Sequence, residues 1–158
     1  MVEIDKNRII ELCDQIKAKL KEEGKNRYIV RVPNIPEDDE DYFSDVDQDI
    51  REQLDEFCSG CGCIEDTLLV SYDCGNYSRT LQLDGVALEN DTLYFYLTEM
   101  EVGEYNKDIY TLKVDLDGVL DDYAWWMSGG TPEVEFRPDE VLEYYISSFD
   151  EEYCKFLD

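Results

Sequence analysis

The stretch TLYFYLT, from Thr92 to Thr98, decides which class of fold this sequence adopts. Leu93, Phe95 and Leu97 alternate with two tyrosines, and a period of two residues is typical of a β-strand. Further strand candidates with the same period are separated by Gly, Asn and Asp turns: Thr67–Tyr72, Ser78–Leu83 and Ile109–Leu116. The connections between them leave no room for crossover helices, so the pattern predicts an antiparallel meander.

Helical periodicity appears on both sides of this meander. Residues 5–23 predict a helix that Asp5 caps and Gly24 ends, with one apolar face made of Ile9, Leu12, Cys13, Ile16 and Leu20. A second helix is predicted from Ser44, a short one over Tyr123–Met127 and a last one from Pro138, with short strands at Arg27–Val32 and Glu133–Phe136. We therefore predict a single acidic α+β domain over residues 1–158. Its antiparallel meander sheet of about four to six strands is packed by N-terminal, middle and C-terminal helices.

The charge of the chain limits its function. Its 158 residues carry a net charge of −26 and no histidine, which removes the commonest general base and the histidine-dependent nucleophile systems. Residues 1–31 hold eight basic and six acidic residues, whereas the rest of the chain holds six basic and 34 acidic ones. Such a surface repels nucleic acid and anionic lipid and attracts basic proteins. No signal-peptide pattern and no membrane-spanning apolar run is present, so the sequence predicts a cytoplasmic protein.

Two acidic regions are candidates for binding a basic partner. The first is the run Glu37, Asp38, Asp39, Glu40 and Asp41, continued along the predicted second helix by Asp45, Asp49 and Glu52. The second places Asp121 and Asp122 beside Trp125 and Trp126, and aromatic residues next to acids suit the centre of a protein interface. The alternative interpretations are a solvated loop for the first region and a packed second face of the sheet for the aromatic residues.

Cysteines form a separate cluster. Cys58, Cys61 and Cys63 lie close together, and Cys74 follows the next predicted strand, so the four thiols are candidate ligands of a structural zinc ion. The surrounding acids stabilise the thiol over the thiolate, which favours free or buried cysteines. A redox role for the CxxC pair lacks the usual βαβ setting. We therefore predict no cofactor and keep structural zinc as the alternative.

The stretch KVDLDGVLDD, from Lys113 to Asp122, resembles the first motif of the haloacid dehalogenase family. The resemblance implies that Asp115 is a nucleophile and Asp117 an acid/base, with magnesium between them. That family's strand lies in a parallel sheet buried on both faces, whereas Tyr110, Leu112 and Val114 here alternate with polar residues. A similar pattern at 81–86 has Gln82 in the nucleophile position. The residues therefore favour a strand followed by an Asp-Gly turn.

These observations predict a non-enzymatic, acidic inhibitor that binds proteins. Carboxylates along strands and helices can imitate the phosphates of DNA, as in phage proteins that oppose CRISPR or restriction nucleases, and then block the basic groove of a nucleic-acid enzyme. One alternative is an immunity protein or antitoxin that neutralises a cationic toxin. Another is a metal-dependent hydrolase that uses the pair Asp115/Asp117 or Asp121/Asp122.

Overall fold

A computed structural model describes residues 3–29, 67–105, 107–149 and 155–157. Its helices are α1 (Lys6–Glu23), α2 (Leu116–Met127) and α3 (Pro138–Ser147). Its strands are β1 (Arg27–Ile29), β2 (Leu68–Asp73), β3 (Tyr77–Glu89), β4 (Thr92–Gly103), β5 (Lys107–Val114), β6 (Val134–Glu135) and β7 (Lys155–Leu157). All of these strands belong to one antiparallel sheet, which confirms the α+β class and the meander from β2 to β5.

Strand β3 is the centre of the sheet. One side of β3 pairs with β4 along its whole length, and β5 follows β4 at the end of the sheet. The other side of β3 pairs with β2 at residues 78–82 and with β1 at residues 85–87. Strand β6 then pairs with the outer side of β2, and β7 pairs with the outer side of β1. A bulge separates Leu83 from Gly85 in the pairing with β4. A Cβ atom at position 85 would lie 2.7 Å from the carbonyl oxygen of Tyr28. Glycine therefore permits the close pairing of β1 with β3.

The hydrophobic core lies between the sheet and the helices. Leu93, Phe95 and Leu97 contribute from β4, and all three helices contribute one apolar face each. Helix α1 buries the five residues that its period predicted: Ile9, Leu12, Cys13, Ile16 and Leu20. Asp5 accepts hydrogen bonds from the backbone N–H groups of Asn7 and Arg8, and Gly24 ends the helix in the left-handed region. The predicted first helix is thus confirmed with both of its caps.

Helix α2 is longer than the sequence indicated. The predicted strand Ile109–Leu116 is present as β5, but it ends at Val114, two residues earlier than predicted. The predicted turn after it was wrong, because a helix begins directly after Asp115. The Asp115 carboxylate accepts a hydrogen bond from the N–H of Gly118 at 2.9 Å, which caps the helix. A Cβ at position 118 would lie 2.8 Å from the Cβ of Val114, so glycine allows the strand and the helix to approach closely. Asp117 and Gly118 therefore lie in the first turn of a helix and do not form the predicted Asp-Gly turn.

The second Asp-Gly pair does not form a turn either. Strand β3 continues through Asp84 and Gly85 to Glu89, with the bulge absorbing one residue. Asp84 is fully buried and accepts a hydrogen bond from the hydroxyl of Thr98. The hairpin turn lies instead at Asn90 and Asp91, both of which have positive φ, as tight hairpins require.

The remaining predictions are partly outside the described residues. Strand β1 begins at Arg27 as predicted, and α3 begins at Pro138 as predicted. The helix predicted from Ser44 lies outside the described residues, and β7 was not predicted at all. Of the helices that the structure describes, none is long and apolar enough to cross a membrane.

Candidate protein-binding surface

Helix α2 presents one buried and one exposed face. Val119, Tyr123 and Trp126 recur at spacings of three and four residues and are buried against the sheet and the other helices. The same spacing places Asp121 and Trp125 together on the exposed face. Because Asp115 fixes where the helix starts, the cap also fixes which residues point outward.

The two adjacent tryptophans differ sharply in exposure. Trp125 is 62 % exposed and Trp126 is 3 % exposed, because neighbouring residues of a helix point about 100° apart. Trp126 belongs to the core and packs against Tyr72, whose hydroxyl donates a hydrogen bond to the Trp126 carbonyl oxygen. Of these two predicted anchors, only Trp125 has a surface that a partner can reach in this structure.

Arg79 links the tryptophans to the sheet, and it was missed by the sequence reasoning. Its guanidinium lies 4.8 Å from the ring centre of Trp126 and 5.6 Å from that of Trp125. It also lies 3.5 Å from a carboxylate oxygen of Glu101, its neighbour across the β3–β4 pair. Such cation–π contacts favour one orientation of the indole rings. Arg79 and the two tryptophans line a pocket of about 320 Å³, whose other walls are Tyr72, Cys74, Tyr77, Ser128 and Gly129.

Carboxylates are crowded next to these rings. Partial burial raises the pKa of Asp122, and the charge of Asp121 raises it further. Partial burial also raises the pKa of Glu99 on β4, where the charge of Asp122 adds to the effect and the indole of Trp126 partly offsets it. Burial is the larger cause of both shifts, and the like charges of α2 and β4 add to it. We call Glu99, Asp121, Asp122 and Trp125 the acidic–aromatic surface.

Basic residues do not neutralise this surface. Among the described residues, no ion pair reaches Glu99, Asp121 or Asp122, although Lys6 and Arg79 act on them at longer range. Residues 67–149 contain four basic and 17 acidic residues. Arg79, Lys113 and Arg137 are each engaged with a carboxylate. The acidic–aromatic surface therefore projects a negative potential towards solvent.

The carboxylates of the dehalogenase-like stretch have structural partners. Asp115 caps α2, and Asp117 accepts an ion-paired hydrogen bond from Lys6 at 2.5 Å. The first contact caps a helix, and the second connects α1 to α2. The structure thus explains why this pair of acids stands at the strand–helix junction without reference to a reaction.

The tyrosines of β4, Tyr94 and Tyr96, occupy the face of the sheet opposite to Leu93, Phe95 and Leu97. Tyr96 is buried, and Tyr94 is half-buried, with its ring centre 5.4 Å from the ammonium of Lys113. They therefore face away from the helix-covered core but are not widely exposed. This arrangement agrees with a packed second face of the sheet.

Several predicted site residues belong to the part of the chain that the structure does not describe. The acidic run and its continuation, which are Glu37, Asp38, Asp39, Glu40, Asp41, Asp45, Asp49 and Glu52, lie outside the described residues, as do Cys58, Cys61 and Cys63. Cys74 is exposed beside the pocket and Cys13 is buried, where burial raises the pKa of its thiol to about 12. Within the described part of the chain, no group of three potential ligands could hold a metal ion. The zinc site stays a prediction.

No protein-family model, curated protein or solved structure matches this chain. Function is therefore inferred from the side chains and their arrangement alone.

Proposed function

We propose that this protein is an acidic inhibitor that uses the acidic–aromatic surface to bind the basic nucleic-acid groove of an enzyme. The observation that carries the proposal is the position of Trp125. This indole is 62 % exposed and stands beside carboxylates that no described basic residue pairs. Tryptophan is enriched among the residues that carry most of the binding energy of protein interfaces, and surrounding carboxylates attract a basic partner.

The indole and the carboxylates have different roles in this proposal. Burying a tryptophan removes ~150–250 Å² from water, which at ~25 cal/mol per Å² is worth several kcal/mol before the costs of association. The carboxylates contribute long-range attraction, which speeds association with a cationic partner and disfavours acidic ones. Together they would make binding both fast and selective for basic surfaces.

Crowding of the acids adds a specific driving force. The raised pKa values of Glu99 and Asp122 mean that their charged forms are disfavoured in the free protein. Partial burial is the main cause, and the repulsion between neighbouring acids adds to it. A cationic groove offsets that repulsion with attraction and so favours the charged forms. Binding should therefore weaken as the pH falls through the raised pKa values, because protonation removes the charges that attract the partner.

The test is a tagged pull-down from bacterial lysate, with washes at low and high salt and identification of the bound proteins by mass spectrometry. The proposal predicts that nucleases or other basic nucleic-acid enzymes are retained at low salt, released at high salt and displaced by added DNA. Trp125→Ala should reduce their recovery without unfolding the protein. If no basic nucleic-acid enzyme is retained in either wash, the proposal fails.

A second candidate is an immunity protein that neutralises one cationic toxin. It is favoured by the exposure of Trp125 itself, because a large apolar contact suits shape-specific recognition more than imitation of a phosphate backbone. A single small basic partner that resists high salt and is not displaced by DNA would support this candidate over the first.

A further inference from the structure

The structure contains an example of how a cation packs against the two tryptophans. The guanidinium of Arg79 lies over both indole rings, 4.8 Å from the ring centre of Trp126 and 5.6 Å from that of Trp125. The same guanidinium lies 3.5 Å from a carboxylate oxygen of Glu101. One planar cation thus contacts aromatic rings and a carboxylate at once, which combines cation–π attraction with an ion pair.

A second cation of the sheet makes the same double contact. The ammonium of Lys113 lies 5.4 Å from the ring centre of Tyr94 and 2.6 Å from a carboxylate oxygen of Glu89. An aromatic ring beside a carboxylate therefore holds a cation at two separate places in this protein. Wherever the same combination is presented to solvent, it suits a cation that comes from a partner.

Trp125 presents this combination on the surface of α2. Asp121 and Asp122 stand four and three residues before Trp125, and residues at these spacings are neighbours on the surface of a helix. Trp125 is 62 % exposed, Asp121 is exposed and Asp122 is half-buried. Because Arg79 already lies in the pocket beside the indole, repulsion favours a second cation on the side of the ring that the two aspartates adjoin.

A guanidinium suits this arrangement better than an ammonium does. Its N–H donors lie in one plane, so it can stack on a ring while its edge donates hydrogen bonds to two carboxylates. It is also more weakly hydrated and therefore loses less when it leaves water. An ammonium is a compact, strongly hydrated charge without a flat face. The surface is therefore expected to distinguish arginine from lysine, although both carry the same charge.

We propose that the acidic–aromatic surface recognises an arginine side chain of the partner, whose guanidinium stacks on Trp125 and forms ion pairs with Asp121 and Asp122. This inference rests on the proposed function and names the residue type that the basic partner contributes. A second copy of the chain is a poor source of this arginine, since each copy carries a net charge of −26. The occupant is therefore a protein whose basic surface presents arginine.

The test compares two capped peptides of equal length and charge, in which glycine alternates with either arginine or lysine. Binding to the full chain is followed by NMR, with the indole N–H signal of Trp125 assigned from its loss in Trp125→Phe. The arginine peptide should bind about fivefold more tightly than the lysine peptide and should shift the Trp125 signal most strongly. Equal affinity of the two peptides would overturn the proposal, because it would show adsorption by charge only.

The matched variants are Trp125→Leu and Tyr105→Leu. The first removes the ring but keeps an apolar side chain, so affinity for the arginine peptide should fall about fivefold and the preference over lysine should disappear. Tyr105 is 89 % exposed and follows Glu104, so the second variant removes another exposed aromatic ring beside an acid and should bind like the wild type. A preference for arginine that survives Trp125→Leu, or that is also lost in Tyr105→Leu, would contradict the proposal.

The arginine site and the proposed function can fail separately. If the two peptides bind equally but the wild type captures basic enzymes that Asp121→Lys/Asp122→Lys does not, recognition of arginine is wrong and the proposed function stands. If the preference for arginine depends on Trp125 but the lysate pull-down retains no basic nucleic-acid enzyme, the arginine site stands and the proposed function fails.

Discussion

Two sides of the molecule differ in how many of their charged side chains form ion pairs. One side is α1, the α1 flank, and the other consists of α2, β4 and β5, the α2 flank. On the α1 flank, three basic residues are paired with acids from other elements: Lys6 with Asp117, Arg8 with Glu143 and Lys21 with Asp91. On the other flank, Glu99, Asp121 and Asp122 have no ion pair among the described residues. Among the described residues, basic side chains of both flanks are thus engaged with acids, but Glu99, Asp121 and Asp122 are left without an ion pair.

This difference shows that net charge alone does not locate a binding surface. The basic N-terminal stretch resembles a cationic arm in composition, yet its ion pairs connect α1 to α2, to α3 and to the β3–β4 turn. Exposed ion pairs add little to stability, but they decide which acids remain unneutralised. A partner with a basic surface would therefore meet the α2 flank first.

The largest expected effect separates the two tryptophans. Trp126→Ala should lower the free energy of unfolding by about 3–5 kcal/mol because it empties a core position, whereas Trp125→Ala should change it by about 0.5 kcal/mol or less. Urea unfolding followed by circular dichroism measures both. Equal losses for the two variants would show that Trp125 is structural and would remove the distinction between a core face and a binding face on α2.

The next effect tests the start of α2. Asp115→Ala should cost about 1 kcal/mol because the N–H of Gly118 loses its acceptor, while Asp115→Asn should retain most of the stability. Thermal unfolding of the two variants gives the comparison. If Asp115→Ala is as stable as Asp115→Asn, the cap does not determine where α2 begins. The outward direction of Trp125 then needs another cause.

Removing a crowded charge should stabilise the α2 flank. Because the folded-state pKa of Asp122 is raised, its contribution to stability is present below the unfolded pKa of about 4 and is lost as the pH rises through the folded value. Asp122→Asn should therefore raise stability at pH 7 by about 0.5 kcal/mol, and this gain should disappear towards pH 3. Asp14→Asn, an exposed acid on α1, is the control. A loss of stability at pH 7 in Asp122→Asn would contradict the crowding.

The smallest effect concerns the α1 flank. A hydrogen bond and the charge of Lys21 lower the pKa of Asp91, with a further contribution from Lys17. Lys21→Gln should raise the pKa of Asp91 towards its ordinary value with almost no change in thermal stability. NMR titration of the Asp91 carboxyl measures this shift. An unchanged pKa would show that the ion pair does not form in solution.

Much of the fold could be predicted because it depends on local signals. The period and both caps of α1, the alternation in β2 to β5 and the proline at the start of α3 are all visible in the sequence. The two Asp-Gly pairs were misleading because the same residues serve a turn, a helix cap or a bulge. Only the packing of Gly118 on Val114 and of Gly85 on β1 distinguishes these cases.

The candidate site was less predictable. Acids beside tryptophans were visible in the sequence, but which indole points outward depends on where α2 begins. The role of Arg79 depends on the β3–β4 register, which places it opposite Glu101 and beneath the tryptophans. In the sequence, Arg79 is distinguished only by being the sole basic residue between positions 67 and 105.

The most direct measurement compares two charge reversals of equal size in the same lysate pull-down. Asp121→Lys/Asp122→Lys changes the acidic–aromatic surface, and Asp14→Lys/Glu22→Lys makes the same change in net charge on exposed positions of α1. The proposed function predicts that wild type and the α1 variant retain the same basic nucleic-acid enzymes, whereas the α2 variant retains none of them. Equal recovery by the two variants would contradict it, because binding would then depend on net charge and not on this surface.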